Sequence, residues 1–308
     1  MNTLARDSDD FRVALWNVDH NGIENNGDQE RWEVAMSVLA EIQPHVVLRN
    51  ELTRADKFGE RAVWAEANAL GGLIPFLAPA SPESVNPTGV FVDPSLIQPV
   101  AFFKHVVGMW HPICQPVVRL AGAPRPLTLA AFHLCPFDGD QRATEARRLV
   151  MLGGAAAIIG GDRNSYPHRT DLEKNPLPDW SKISDRRHVQ HRTIDRAGER
   201  VHDTRPDEIL AGEHDGPPVF VDLAYYAAME LGQSDALEPT ASLWRTDQGP
   251  RQRIDSIYAT PLVATALREL KVISDERVVK ASDHALLVAD FSLSALCAVL
   301  TPEGATAA

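Results

Sequence analysis

Between residues 73 and 134 the chain falls into five short apolar runs separated by proline, glycine and polar clusters. They are Leu73 to Leu77, Thr88 to Val92, Val100 to Val107, Gln115 to Leu120 and Leu127 to Leu134. This spacing predicts a sheet of neighbouring strands rather than strict strand–helix alternation. Helical periodicity appears on either side of the series. Asp28 to Ile42 places Trp32, Ala35, Met36, Leu39 and Ile42 on one face, with Asp28 as N-cap and Pro44 beyond the end. Lys57 to Leu70, Gln141 to Leu152 and Phe220 to Leu231 read as further helices. Strands are expected at Phe11 to Val18, His45 to Leu48, Ala155 to Ile159, from Arg253 to Tyr258, at Leu267 to Ile273 and after His284.

The 308 residues suffice for one large layered domain. No repeat or linker divides them, so residues 1–308 are expected to form a single domain. Within it, residues 165–218, rich in Pro, Asp, His and Arg, are too long for an ordinary connection and read as an inserted loop region. The formal net charge of −12 argues against a broad basic surface for coating nucleic acid, while leaving room for a local cationic groove. Three cysteines, Cys114, Cys135 and Cys297, have no metal-ligand spacing and provide no disulfide framework. A reducing compartment, and hence the cytoplasm, is the expected location. No secretory signal, membrane span or obligate protein partner is expected.

Polar groups collect at the ends of the expected strands: Asn17, Glu51, His133, Asp162 with Asn164, Asp255, and Asp283 with His284. Asn and Asp are common after strands because they tolerate turns, so no single position is informative. Jointly they are, because the ends of adjacent strands converge on one side of a sheet. The stretches that carry them are Leu15-Trp16-Asn17-Val18, Val46-Val47-Leu48-Arg49-Asn50-Glu51, Phe132-His133-Leu134, Gly161-Asp162-Arg163-Asn164, Arg253-Ile254-Asp255-Ser256-Ile257-Tyr258 and Ser282-Asp283-His284.

In that order, across residues 11 to 292, the pattern resembles the endonuclease/exonuclease/phosphatase superfamily of metal-dependent phosphoesterases. The resemblance implies an α+β fold, a four-layer α/β/β/α sandwich with two packed, mainly antiparallel sheets. It implies Glu51 as the principal ligand of a divalent cation, with Asn17 and Asp283 completing or flanking the site. Such oxygen ligands favour Mg²⁺ or Mn²⁺. It further implies that Asp162 orients or deprotonates the attacking water and that Asn164 holds phosphate. His284 would contact a phosphate oxygen or act as a base, supported by Asp255. His133 would stabilise phosphate charge or protonate the leaving group. Asp19, two residues after Asn17, fits a variant found in some family nucleases, and fits a turn before Asn21-Gly22 equally well.

Arg163 replaces a residue that is often apolar in the family. It would contact phosphate if it faces the groove and form a salt bridge at the rim if it does not. Arg251 and Arg253 are further candidates for substrate binding, and the insertion adds Arg186, Arg187 and Arg192, with His168, His188, His191, His202 and His214. On a net acidic chain most such residues pair with carboxylates. Three functions remain open: a nuclease-like phosphodiesterase, a phosphatase or phosphodiesterase for a small phosphorylated molecule, and a non-catalytic binding module on the same fold.

Overall fold

The computed structural model describes residues 7–213, 216–245 and 249–302; His214 lies outside them. The described strands are β1 (Asp10–Asn17), β2 (Val46–Asn50), β3 (Ile74–Ala78), β4 (Thr88–Val92), β5 (Ile97–His105), β6 (Ile113–Leu120), β7 (Leu127–His133), β8 (Ala157–Asp162), β9 (Thr193–Arg196), β10 (Glu199–His202), β11 (Val221–Asp222), β12 (Asp255–Ala259), β13 (Leu267–Ile273) and β14 (Leu286–Ser292). The described α-helices are α1 (Glu30–Ile42), α2 (Arg61–Ala69), α3 (Gly139–Val150), α4 (Arg186–Arg192), α5 (Arg205–Ala211), α6 (Leu223–Glu230), α7 (Pro261–Ala264), α8 (Glu276–Ala281) and α9 (Leu293–Val299).

Two six-stranded sheets form, in the orders β13-β14-β1-β2-β4-β3 and β11-β12-β8-β7-β6-β5. Each contains one parallel pair, β1 with β2 and β7 with β8, among antiparallel neighbours. The crossovers of these pairs carry α1 and α3, as a parallel connection requires.

Side-chain alternation builds the layers. Phe11, Val13 and Leu15 of β1 and Leu127, Leu129 and Ala131 of β7 point into one core between the sheets. The opposite face of the first sheet, with Ala14, Trp16 and Val47, packs with Ala35, Met36 and Leu39 of α1 and Val278 of α8. The opposite face of the second, with Ala130, Phe132 and Ile159, packs with Ala146 and Leu149 of α3 and Leu210 of α5. The result is the expected α/β/β/α sandwich.

Local boundaries differ from the sequence reading where tertiary contacts decide. α1 begins at Glu30, and Asp28 serves it from outside by accepting the Glu30 N–H at 2.9 Å. β8 continues through Gly160 and Gly161 to Asp162 instead of turning there. A Cβ on Gly161 would sit 1.7 Å from the Phe132 carbonyl oxygen, so glycine here permits close strand approach. Val221 and Asp222 join β12 as β11, and Asp222 then caps α6 through the Ala224 N–H. Residues 165–218 contain α4, the β9–β10 hairpin and α5. Among the described residues, no helix is long and apolar enough to cross a membrane.

Candidate active site

Strand direction gathers the candidate residues. Asn17 and Asn50 end the parallel pair β1 and β2, and Glu51 follows directly. His133 and Asp162 end the parallel pair β7 and β8 in register with each other. β14 and β12 run antiparallel to β1 and β8, so their starts lie at the same edge. Asp255 is accordingly paired with Asp162, and His284 precedes β14.

Asn50 ties the two sheets together here. Its amide donates to the Phe132 carbonyl at 2.7 Å, and its side-chain oxygen accepts the Asp162 N–H at 3.0 Å. Ser282 donates to the Asn17 carbonyl at 2.7 Å and accepts the His284 N–H at 3.1 Å. Trp16 donates from its indole to the His284 carbonyl at 3.0 Å. Glu51 and Asn164 have left-handed backbones, with φ of 55° and 53°, an uncommon conformation for residues other than glycine.

The Asn17 amide nitrogen lies 3.3 Å from Glu51 Oε1 and 3.5 Å from Asp162 Oδ2, while its buried Oδ1 has no partner. Glu51 Oε2 accepts the His20 N–H at 3.1 Å. Loss of water around Glu51, opposed by that hydrogen bond and by the His284 charge but reinforced by Asp19, raises its pKa. A raised carboxylate beside an orphaned amide oxygen is a donor set that fits a hard divalent cation. Asp19, His20 and Glu51 bring ligand atoms within 4.8 Å of one another, as do Asp162, Asp255 and His284. One Asp19 oxygen is already held by Arg31 at 3.1 Å. Asp283 belongs to neither group; its carboxylate lies 4.0 Å from His284 Nε2.

The two histidines have opposite electrostatics. His284 Nδ1 is 2.8 Å from Asp255 Oδ2. Burial disfavours its charge, but Asp255, by charge and hydrogen bond, and then Asp283 and Asp162 hold its pKa well above the usual histidine value. His133 Nε2 is 3.6 Å from Asp162 Oδ2, yet burial, the His284 charge and Arg192 push its pKa down to about 3. At neutral pH the first is an imidazolium donor and the second a neutral ring. Such divergence within one site is the usual basis of divided acid–base roles. Asn164 donates its backbone N–H to Asp162 Oδ1 at 2.7 Å and one amide hydrogen to the Leu134 carbonyl at 2.8 Å. It therefore steadies the Asp162 carboxylate.

The expected substrate contacts from Arg163 and Arg253 require correction. Arg163 is fully buried, and its guanidinium meets Asp207 at 2.9 Å, the Tyr258 hydroxyl at 3.2 Å and the Arg253 carbonyl at 3.0 Å. Arg253, also buried, pairs with Glu173 and Asp222, each at 2.7 Å. The groove-or-rim choice for Arg163 fails both ways, because Asp207 of α5 draws the side chain inward. Arg251 is exposed and donates to the Leu243 carbonyl at 2.6 Å.

The structure also places His111 at the site, where sequence reading missed it. Its ring stacks on His133 with centroids 3.9 Å apart and planes 12° apart, and its Nδ1 lies 3.0 Å from the His133 carbonyl. A single histidine in the β5–β6 connection carries no motif that could have signalled this.

No family model matches the chain, and no curated protein matches it. Solved structures are similar. The human Nocturnin catalytic domain with a bound sulfate anion is 16% identical, over 92% of this chain and 93% of that one, at a TM-score of 0.58. An endonuclease/exonuclease/phosphatase from Bacteroides vulgatus is 12% identical over 91% and 98%, at 0.63. D. rerio TDP2 complexed with a single-strand DNA product is 18% identical over 92% and 99%, at 0.56.

Proposed function

We propose, from the premise that this chain has the endonuclease/exonuclease/phosphatase fold, that it is a divalent-metal-dependent phosphoesterase. The reading rests above all on the convergence of Asn17, Glu51, His133, Asp162, Asp255 and His284 at one edge of both sheets. Glu51, Asn17 and Asp19 or Asp283 would hold Mg²⁺ or Mn²⁺. When bound, the cation supplies Lewis-acid polarisation of a phosphoryl oxygen and charge neutralisation at the leaving oxygen.

The chain's own groups account for the remainder of the hydrolysis. Asp162, fixed by Asn164 and the Asn50 bridge, aligns a water and accepts its proton as the water oxygen bonds to phosphorus. His284, kept protonated by Asp255, donates to a non-bridging oxygen as negative charge accumulates there. Neutral His133, beside Asp162, donates one N–H toward the departing oxygen. The P–O bond to that oxygen breaks, the departing oxygen takes up a proton from solvent, and Asp162 gives the attacking water's proton back to solvent, leaving an alcohol and a phosphate.

Phosphodiesters, in a nuclease-like activity, are the proposed substrates, and the resemblance in fold to a protein solved with single-strand DNA product supports this. A small phosphorylated molecule is favoured by a different observation: Tyr166, His188 and Arg192 of residues 165–218 share one cavity with Asp283 and His284. Purified protein should hydrolyse bis(p-nitrophenyl) phosphate, p-nitrophenyl phosphate or single-stranded DNA with Mg²⁺ or Mn²⁺. Chelator and Glu51→Ala should each abolish turnover. A folded protein that binds neither cation and turns over none of the three is a non-catalytic module, and the proposal is then lost.

A further inference from the structure

Arg163 and Arg253 are locked in internal ion pairs, leaving the phosphoryl site without the arginines expected from its own strands. A different arginine reaches it. Arg192 ends α4 within residues 165–218, and its side chain lines the cavity that also contains Asp283, His284, Tyr166 and His188. Its charge is felt at His133, on the far side of Asp162 from Asp255. The guanidinium makes no hydrogen bond or ion pair among the described residues, and its Nη1 is buried without a partner. Arg192 is half-buried, whereas each arginine that is buried among the described residues has a carboxylate: Arg12 has Asp290, Arg49 has Glu66, and Arg142 has Asp203, as Arg163 and Arg253 have theirs.

Burying part of a guanidinium with no counter-charge is costly, and a flexible side chain would normally swing to water to avoid it. Here the backbone is held. The Arg192 carbonyl accepts the Asp203 N–H at 3.0 Å, and Arg142 donates to the neighbouring His191 carbonyl at 2.6 Å from within its own buried pair with Asp203. Trp180, 5.9 Å from the His188 ring and 6.1 Å from the Tyr166 ring, packs beneath the same helix. A cation on a held backbone, with an unfilled donor and lining one cavity with His284, matches an anion in charge and in hydrogen bonding.

We propose that Arg192 is a substrate-contacting residue, supplying the guanidinium that binds phosphoryl oxygens between His133 and His284. The inference rests on the phosphoesterase reading for its catalytic consequence but not for anion binding itself. It assigns residues 165–218 a chemical role in the site: they deliver the cation that the strand ends lack.

The test compares wild type with Arg192→Met, which keeps length and loses charge, and Arg192→Lys, which keeps charge and loses the fork. Inorganic phosphate is titrated calorimetrically with Mg²⁺ present, p-nitrophenyl phosphate and bis(p-nitrophenyl) phosphate turnover is measured, and thermal melting is followed. Phosphate affinity should fall at least about 10-fold in the Met variant, and kcat/KM about 100-fold or more, with the Lys variant intermediate. The Met variant should melt no lower than wild type, because a half-buried guanidinium with an unpartnered Nη1 is removed. Unchanged phosphate affinity in Arg192→Met, or wild type that binds no phosphate, overturns the proposal. Arg192-dependent phosphate binding without turnover of any ester would leave Arg192 assigned and remove the enzymatic reading instead. Should the Met variant fail to fold, the Lys variant decides: phosphate binding equal to wild type in Arg192→Lys overturns the proposal that the guanidinium binds phosphoryl oxygens.

Discussion

At the scale of single residues, His133 and His284 show how neighbours set chemistry. Both are buried imidazoles within reach of Asp162, but Asp255 faces only one of them at hydrogen-bonding distance. The consequence for stability has a definite sign. His133 titrates at about 3 in the fold against about 6.5 when unfolded, so between these values the unfolded chain binds the extra proton. Stability from keeping His133 neutral is therefore intact above about pH 6.5 and is lost as pH falls toward 3. At pH 5 the loss is on the order of 2 kcal/mol. The stability difference between wild type and His133→Asn, read from denaturant midpoints at pH 7.5 and pH 5, should narrow on acidification by about that amount. A difference independent of pH would contradict the buried neutral ring. His284 behaves oppositely: its raised pKa contributes stability that is complete below the unfolded value and fades as pH rises through the folded one. The identities of these residues are legible in sequence because each follows a short apolar run. Their protonation is not, because it depends on partners such as Asp255, which is 29 positions from His284.

At the scale of elements, α4 and α5 show what periodicity leaves unread. Each has seven residues, too few to establish a helical face against the polar composition around them. Their positions come from long-range ion pairs instead. Arg142 of α3 and Asp203 are both fully buried and meet at 2.9 Å across 61 residues. Removing one partner strands the other charge, so Asp203→Ala should cost about 3–5 kcal/mol in a chemical unfolding experiment. A cost below about 1 kcal/mol would mean that water reaches Arg142 and that α4 is not rigidly mounted. The strands of the two large sheets, β11 apart, were legible in contrast, because most present a short buried run with clear punctuation; β9 and β10, half-exposed or exposed over much of their length, were not. The exceptions are instructive: Gly160 and Gly161 read as a turn, whereas the absence of a Cβ lets β8 continue beside Phe132.

At the scale of the whole molecule, the two sheets repeat one plan, a parallel pair with a helical crossover set among antiparallel neighbours, and the site lies where both pairs end. Sequence order conveyed that convergence; the depth to which residues 165–218 are rooted in it did not appear, because Arg163 looked like part of a surface motif. In the fold Arg163 is their anchor. It sits between Asp162 and Asn164 while gripping Asp207, which also holds His168 at 2.6 Å, and Arg253 grips Glu173 in the same segment. Replacing residues 165–218 with a short connector should therefore cost about 3–5 kcal/mol more with Arg163 present than in an Arg163→Met background, judged by soluble yield and denaturant midpoint. Equal losses in the two backgrounds would show the anchor to be dispensable. The pairing limits how such a chain can be recombined or diversify. The segment proposed to shape substrate choice cannot be exchanged as an independent cassette, because its counter-charge is embedded in the Gly161-Asp162-Arg163-Asn164 stretch itself. A new cap must arrive with either its own acid for position 163 or a different residue there.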